Sequence, residues 1–273
     1  MRIEAGARTD LGRVRKNNED SFEVVSEIGL FILSDGMGGE AHGEVASKLT
    51  VDTISQHCRE ALTDPKMPMF EDQEAPELTA KTNRLGSAIR LSNRVIYESA
   101  QKHPAQRGMG ATVVAVWVDG ERVSMAHVGD SRAYRLRQGS LEQLTQDHSL
   151  VAEQVRRGIL TQQQADQSEM QSVLIRALGI DPSVQVDVDE HTLIAGDALL
   201  LCSDGLSRMV TDAEIASTLM TSQTAQEAVD RLVESANDAG GEDNVTVVVL
   251  RVGSGSGGLF ARLWRWLNGP ATA

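Results

Sequence analysis

A chain of 273 residues is long enough to bury a substantial core in one or two domains. Its apolar content of 41% and charged content of 24% are those of an ordinary soluble globular protein. The net charge of -13 argues against a general nucleic-acid binder, which needs a basic surface.

Only two cysteines occur, Cys58 in a helical pattern and Cys202 in an apolar strand. Both read as small core residues, and the lack of a disulfide framework or zinc spacing favours a reducing compartment. No apolar signal segment opens the chain and no run reaches the length of a membrane span, so a cytoplasmic location is expected.

Residues 2–8 read as a first strand, followed by a polar stretch that runs from Thr9 through Arg15 to Glu19 and Asp20. Strands are expected at 21–25 and 29–34 as a hairpin. Val51, Ile54, Cys58 and Leu62 set a helical face over 43–62, with core packing as its role. Three prolines make 63–77 a loop, and Leu85, Ile89, Ser92 and Ile96 mark a second helix over 78–101.

Valine-rich runs at 111–118 and 121–128 flank Asp119-Gly120, a strong hairpin signal. A strand over 132–137 turns at Gln138-Gly139-Ser140. Residues 147–180, with short helices around Gly158, read as an exposed insertion between strands. Strands follow at 184–189 and 197–203, helices at 211–220 and 224–239 with Thr211 and Thr224 as N-caps, and a last strand at 244–252. Antiparallel hairpins with paired helices predict an α+β layered fold, with β-sheets inside and helix pairs outside.

Residues 253–258 form a Gly/Ser linker, and 259–273 a tail. In the tail, Leu259, Phe260, Leu263, Trp264 and Leu267 line one helical face beside Arg262 and Arg265. The stretch 259–267 reads either as a helix that docks a partner or a membrane surface, with the partner favoured, or as a helix packed on its own domain.

The chemistry concentrates in acids at strand ends. Glu19 and Asp20 precede one strand, Asp35 ends another in Ser34-Asp35-Gly36, and Asp130 follows His127-Val128-Gly129. Asp204 repeats the Ser-Asp-Gly pattern at Ser203-Asp204-Gly205, and Asp243 opens the last strand. A single Asp beside Gly is a common turn former. Five such sites are better explained by carboxylates that converge, repel and are neutralised by a divalent cation.

Oxygen donors without a chelating histidine spacing favour hard ions such as Mg²⁺ or Mn²⁺ over zinc. With this many carboxylates two ions fit better than one, and a two-metal centre suits in-line water attack on phosphorus. Arg15, four residues before Glu19, is placed to hold phosphate oxygens; the plain alternative is a surface charge.

These residues resemble the bacterial branch of the metal-dependent type 2C (PPM) serine/threonine protein phosphatases. The resemblance is carried by Gly12-Arg13-Val14-Arg15-Lys16-Asn17-Asn18-Glu19-Asp20, Ser34-Asp35-Gly36-Met37-Gly38-Gly39, Gly108-Met109-Gly110-Ala111-Thr112 and His127-Val128-Gly129-Asp130-Ser131-Arg132. It continues through Asp147-His148-Ser149-Leu150, Arg176-Ala177-Leu178-Gly179, Ser203-Asp204-Gly205-Leu206 and Gly241-Glu242-Asp243-Asn244-Val245-Thr246.

The resemblance implies a catalytic domain over 1–252: a central β-sandwich of two antiparallel sheets flanked by helix pairs (αββα layers), with a flap at 147–180. It implies two Mn²⁺ or Mg²⁺ ions. Asp20, Asp35 as bridge and the Gly36 carbonyl would serve one side, Asp204 and Asp243 the other. Glu19 would act through water, Asp130 at a third, weaker site, Arg15 on the phosphate, and Asn244 as a buttress of the Asp243 loop.

The implied activity is hydrolysis of phosphoserine and phosphothreonine in proteins, opposing a bacterial serine/threonine kinase. A non-catalytic binding module and a nuclease are the alternatives; the full set of acids counts against the first and the acidic charge against the second. Three positions stand out against the family pattern: Met37, where eukaryotic members have a histidine and bacterial members commonly share the methionine, Glu40 where Gly-Gly-His is usual, and Ser168-Glu169 where His-Pro is usual.

Overall fold

The computed structural model describes residues 1–38, 42–64, 66–71 and 75–253; the linker beyond Gly253, the tail at 259–273 and Gly39 and Glu40 lie outside them. Two antiparallel sheets are built from strands whose side chains alternate between two apolar environments. One sheet holds β1 (Arg2–Asp10), β11 (Val245–Gly253), β10 (Ala198–Cys202), β7 (Arg132–Arg137) and β8 (Ser140–Gln143), in that order. The other holds β2 (Asp20–Val25), β3 (Leu30–Met37), β5 (Val113–Asp119), β6 (Arg122–Val128) and β9 (Asp187–Thr192), with the two-residue β4 (Gly110–Ala111) also paired to β3.

The alternation in β3 explains the layering. Phe31 and Leu33 pack with Leu199, Leu201, Val248 and Leu250 between the sheets, while Leu30 and Ile32 join a separate cluster with the first helix pair. That pair is α1 (Gly43–Thr63) and α2 (Ala80–Lys102), which buries Ile54, Leu85, Ile89 and Ile96. On the outer face of the other sheet, α6 (Asp212–Thr221) and α7 (Ala225–Asp238) cover Leu200, Val247 and Val249. Both sheets are therefore covered on both faces, so their central strands are nearly continuous apolar runs. Each fully buried Leu, Val or Phe contributes about 1.5–3 kcal/mol to this αββα stack.

Several expectations are met and some are shifted. Thr211 and Thr224 cap α6 and α7 through their side chains, Thr211 in a reciprocal capping box with Glu214. Leu62, expected on the buried face of α1, is 45% exposed, because the helix buries no residue after Cys58. The strand expected at 184–189 begins three residues later, where β6 fixes its register by pairing His127 with Asp187. The short edge strand β8 carries mostly exposed polar residues and has no sequence signature.

Between β8 and β9 the chain forms α3 (Leu150–Arg156) and α4 (Gln162–Ala165), then returns to the body where Leu178 bridges Ala111. Cys58 and Cys202 are both free and buried, and burial pushes each thiol up to about 12. Among the described residues no helix is long and apolar enough to cross a membrane.

Candidate metal centre

The antiparallel ladders decide where the acids meet. β2 and β3 pair with Asp20 opposite Asp35. Directly opposed residues place their Cβ atoms about 5 Å apart, so two carboxylates from one hairpin are forced together. β10 ends at Cys202 one residue short of Ser203-Asp204, and the adjacent β11 begins at Val245 just after Asp243-Asn244. Asp130 follows the end of β6. All of these termini lie at one end of the sandwich, so both sheets supply acids to a common point.

A cavity of about 390 Å³ opens there. It is lined by Arg15, Glu19, Asp35, Gly36, Asp130, Asp204, Asp243 and Asn244, together with Met37, Thr112 and Arg208. Asp20 lies deeper. Its Oδ2 accepts hydrogen bonds from Ser203 Oγ at 2.8 Å and Thr246 Oγ1 at 2.6 Å. Asp35 is held through its backbone: its N–H donates to Thr112 Oγ1 at 3.2 Å and its carbonyl accepts from Thr112 N at 2.8 Å. Ser203, Thr246 and Thr112 stand within the motifs quoted above, but their spacing gives no sign of which acid they serve.

Two glycines bring the elements this close. A Cβ on Gly36 would meet the Gly43 carbonyl oxygen at 2.0 Å, and one on Gly43 would meet Glu19 Cδ at 2.7 Å. The end of β3 thus meets the start of α1 backbone to backbone, with the Glu19 side chain packed against Gly43. Asn244 ties the remaining loop. Its Oδ1 accepts from Glu19 N at 2.8 Å, and its Nδ2 donates to the Leu11 and Asn17 carbonyls, each at 3.0 Å. It supports the Arg15–Glu19 segment as well as the neighbouring Asp243, whose Oδ1 accepts from Asn244 N.

The carboxylates are electrostatically unsatisfied. Burial pushes Asp35 well above the usual carboxylate range, and Asp20, Asp204, Asp130 and Asp243 add to the rise. Burial also raises Asp20, against the Thr246 and Ser203 hydrogen bonds that lower it. Asp130 is raised by burial and Asp204, and Asp204 by burial despite the nearby Arg208.

Asp20 Oδ1 and Asp204 Oδ1 are buried with no hydrogen-bond partner. An unpaired buried carboxylate oxygen is costly. Oxygen donors alone, crowded and under-neutralised, fit hard divalent cations such as Mn²⁺ or Mg²⁺. Arg15 extends over the rim and bonds Asp243 Oδ2 at 2.7 Å.

The fold also assembles histidines that sequence spacing kept apart. His127, His148 and Asp187 bring donor atoms within 4.8 Å of one another. His148 Nδ1 accepts from Gly129 N at 3.0 Å, which leaves Nε2 to donate to Asp187 Oδ2 at 3.2 Å. The Arg176 guanidinium occupies the other Asp187 oxygen, and the two imidazoles stack with centroids 4.8 Å apart. With its donors already engaged, this group is a tie that pins the Gly129–Asp130 turn to the segment around His148.

A two-sheet sandwich with a cluster of buried carboxylates at one end defines the class of protein. The sequence profile described as Protein phosphatase 2C matches residues 13–246, and the chain belongs to that family. It is similar to the serine/threonine phosphatase stp of Listeria innocua, 37% identical over 91% of this chain and 95% of that one. It is also 39% identical to the serine/threonine protein phosphatase PstP of Mycobacterium tuberculosis over 90% of this chain, but spans only 44% of that protein.

Among solved structures, the catalytic domain of PstP in complex with 2 manganese ions has a TM-score of 0.78 at 38% identity, covering 92% of this chain and 99% of that one. The serine/threonine phosphatase Stp1 of Staphylococcus aureus has a TM-score of 0.82 at 33% identity, covering 93% and 96%.

Proposed function

We propose that this chain is a metal-dependent protein serine/threonine phosphatase that hydrolyses phosphoserine and phosphothreonine. The observation that carries the reading is the group of buried carboxylates drawn from both sheets, with Asp20 Oδ1 and Asp204 Oδ1 unpartnered. Family membership and the names of the relatives support it. A non-catalytic binding module would have no need to retain every one of these acids.

In this reading Asp20, Asp35 and the Gly36 carbonyl would hold one Mn²⁺ or Mg²⁺ ion, and Asp204 and Asp243 a second. Asp35 would serve both ions, Glu19 would act through water, and Asp130 would serve a third, weaker site. Bound ions of this kind supply Lewis-acid activation of water and neutralise phosphoryl charge.

The side chains do the rest. Arg15 exchanges Asp243 for the phosphate oxygens, which a planar guanidinium binds in pairs. Thr112, Ser203 and Thr246 fix the Asp35 and Asp20 orientations, so that no reorganisation is needed when charge develops. Met37 has no proton to give, so the leaving serine or threonine oxygen must take its proton from elsewhere. Residues 147–180 act as a flap whose Ser172 and Leu174 reach the cavity wall. The catalytic domain spans 1–252, its substrates are phosphorylated proteins, and it opposes a serine/threonine kinase in the cytoplasm.

The test is Mn²⁺-dependent hydrolysis of p-nitrophenyl phosphate and of a phosphothreonine peptide. Wild type is expected to turn over both and Asp204→Asn to lose at least about 100-fold in kcat, the scale of losing a main electrostatic group. No turnover by wild type would overturn the activity, and full activity in Asp204→Asn would overturn the site.

A further inference from the structure

One cation already touches the acids from within the chain. Arg208 is the residue after the short helix α5 (Asp204–Ser207), and its backbone N–H donates to the Asp204 carbonyl at 2.9 Å. That places its side chain one turn beyond Asp204. A single nitrogen, Nη2, lies 2.6 Å from Asp204 Oδ2 and 3.4 Å from Asp130 Oδ2. Asp204 comes from the end of β10 and Asp130 from the end of β6, so this nitrogen joins the two sheets at the point where their acids meet.

The guanidinium also has somewhere else to go. A second cavity, of about 800 Å³, adjoins the first and shares Asp130, Asp204 and Arg208 with it. Its wall includes Asp166 and Asp212, carboxylates toward which a displaced arginine can turn, while Asp147 on the same wall is already paired with Arg132. Two positive centres bound to the same pair of oxygens repel at contact distance, so Arg208 and a divalent ion cannot both hold them well.

We propose that Arg208 is a built-in competitor for the divalent cation shared by Asp130 and Asp204: it holds the pair in the metal-free protein and moves into the adjoining cavity when the ion binds. This rests on the metal-centre reading above. The consequence is a weakened third site, and a dependence of its occupancy on one side chain four residues from Asp204.

The test is Mn²⁺ binding to the full chain, followed by calorimetry and by the electron paramagnetic resonance signal of free Mn²⁺. Arg208→Gln should tighten the weakest binding event by at least about 5-fold, the lower range of inter-site coupling. Arg208→Lys should keep most of the competition, and Asp130→Asn should abolish the gain when combined with Arg208→Gln.

Thermal unfolding gives a second readout. Arg208→Gln should lower the melting temperature in chelator and enlarge the rise that Mn²⁺ produces, whereas a merely structural ion pair would lower both temperatures alike. An unchanged or weaker third event, or a gain that survives Asp130→Asn, overturns the proposal. If neither wild type nor Arg208→Gln binds Mn²⁺, the metal-centre reading itself falls and the competition falls with it.

Discussion

At the scale of single residues, Asp20 shows how an acid is prepared. One of its oxygens is held by two hydroxyls and the other is left free. Replacing Thr246 with Val removes one charge-assisted hydrogen bond, about 1.5–3 kcal/mol in ordinary cases. Calorimetric Mn²⁺ affinity should therefore fall by roughly 10-fold or more; an unaltered affinity would separate the hydroxyl from the site.

His57 presents the opposite case. It is buried in α1, neither ring nitrogen has a partner, and burial pushes its pKa down. His57→Leu removes two unsatisfied polar atoms and should stabilise the protein by about 1 kcal/mol, raising the melting temperature by roughly 2–4 °C. A drop in melting temperature would show that the ring is satisfied in solution.

At the scale of elements, the site depends on how closely the end of β3 meets the start of α1. Gly36→Ala would drive a methyl group to within 2.0 Å of the Gly43 carbonyl oxygen. Backbone cannot yield as a flexible side chain can, so the loss should be about 3 kcal/mol or more. Differential scanning calorimetry should show a fall of at least roughly 6 °C; a shift within 1 °C of zero, on the order of experimental error, would mean that the two elements are free to separate. The tie from His148 to Gly129 works on the same principle, since it fixes the turn that carries Asp130 by hydrogen bonds to its backbone.

At the scale of the molecule, acids away from the candidate metal centre contribute to the response to pH, among them half-buried Asp187 and buried Asp197. Asp187 is held well below the usual carboxylate range by the His148 hydrogen bond, against burial and with help from Arg176. Burial would raise Asp197, but Arg137 and the Ile194 N–H outweigh it and the net shift is downward. A folded pKa below the unfolded value of about 3.9 gives stability that is present above that pH and lost as pH falls through the folded value. Asp197→Asn should be less stable than wild type at neutral pH, and the gap should narrow at about pH 3. Urea midpoints at the two pH values measure this, and a gap that does not change with pH would remove Asp197 from the acid response.

Much of this was legible along the chain because it is written in local patterns. An apolar run that stops at Asp-Gly marks a strand end whether or not its partner is known, as at Asp35 and Asp204. Helical periodicity located α2, and Thr211 and Thr224 announced α6 and α7. What stayed hidden joins distant residues: Ser203 and Thr246 reach Asp20 across 183 and 226 positions, and Arg208 reaches Asp130 across 78.

The exposed strand β8 and the register of β9 were hidden for a related reason, since pairing with a neighbour and not side-chain pattern determines them. The sequence by itself determined the layers and the acids at strand ends, because burial and turn chemistry act between near neighbours. Only the tertiary structure decided which acids face one another and which hydroxyl or guanidinium neutralises each, because that follows from the register and stacking of two sheets.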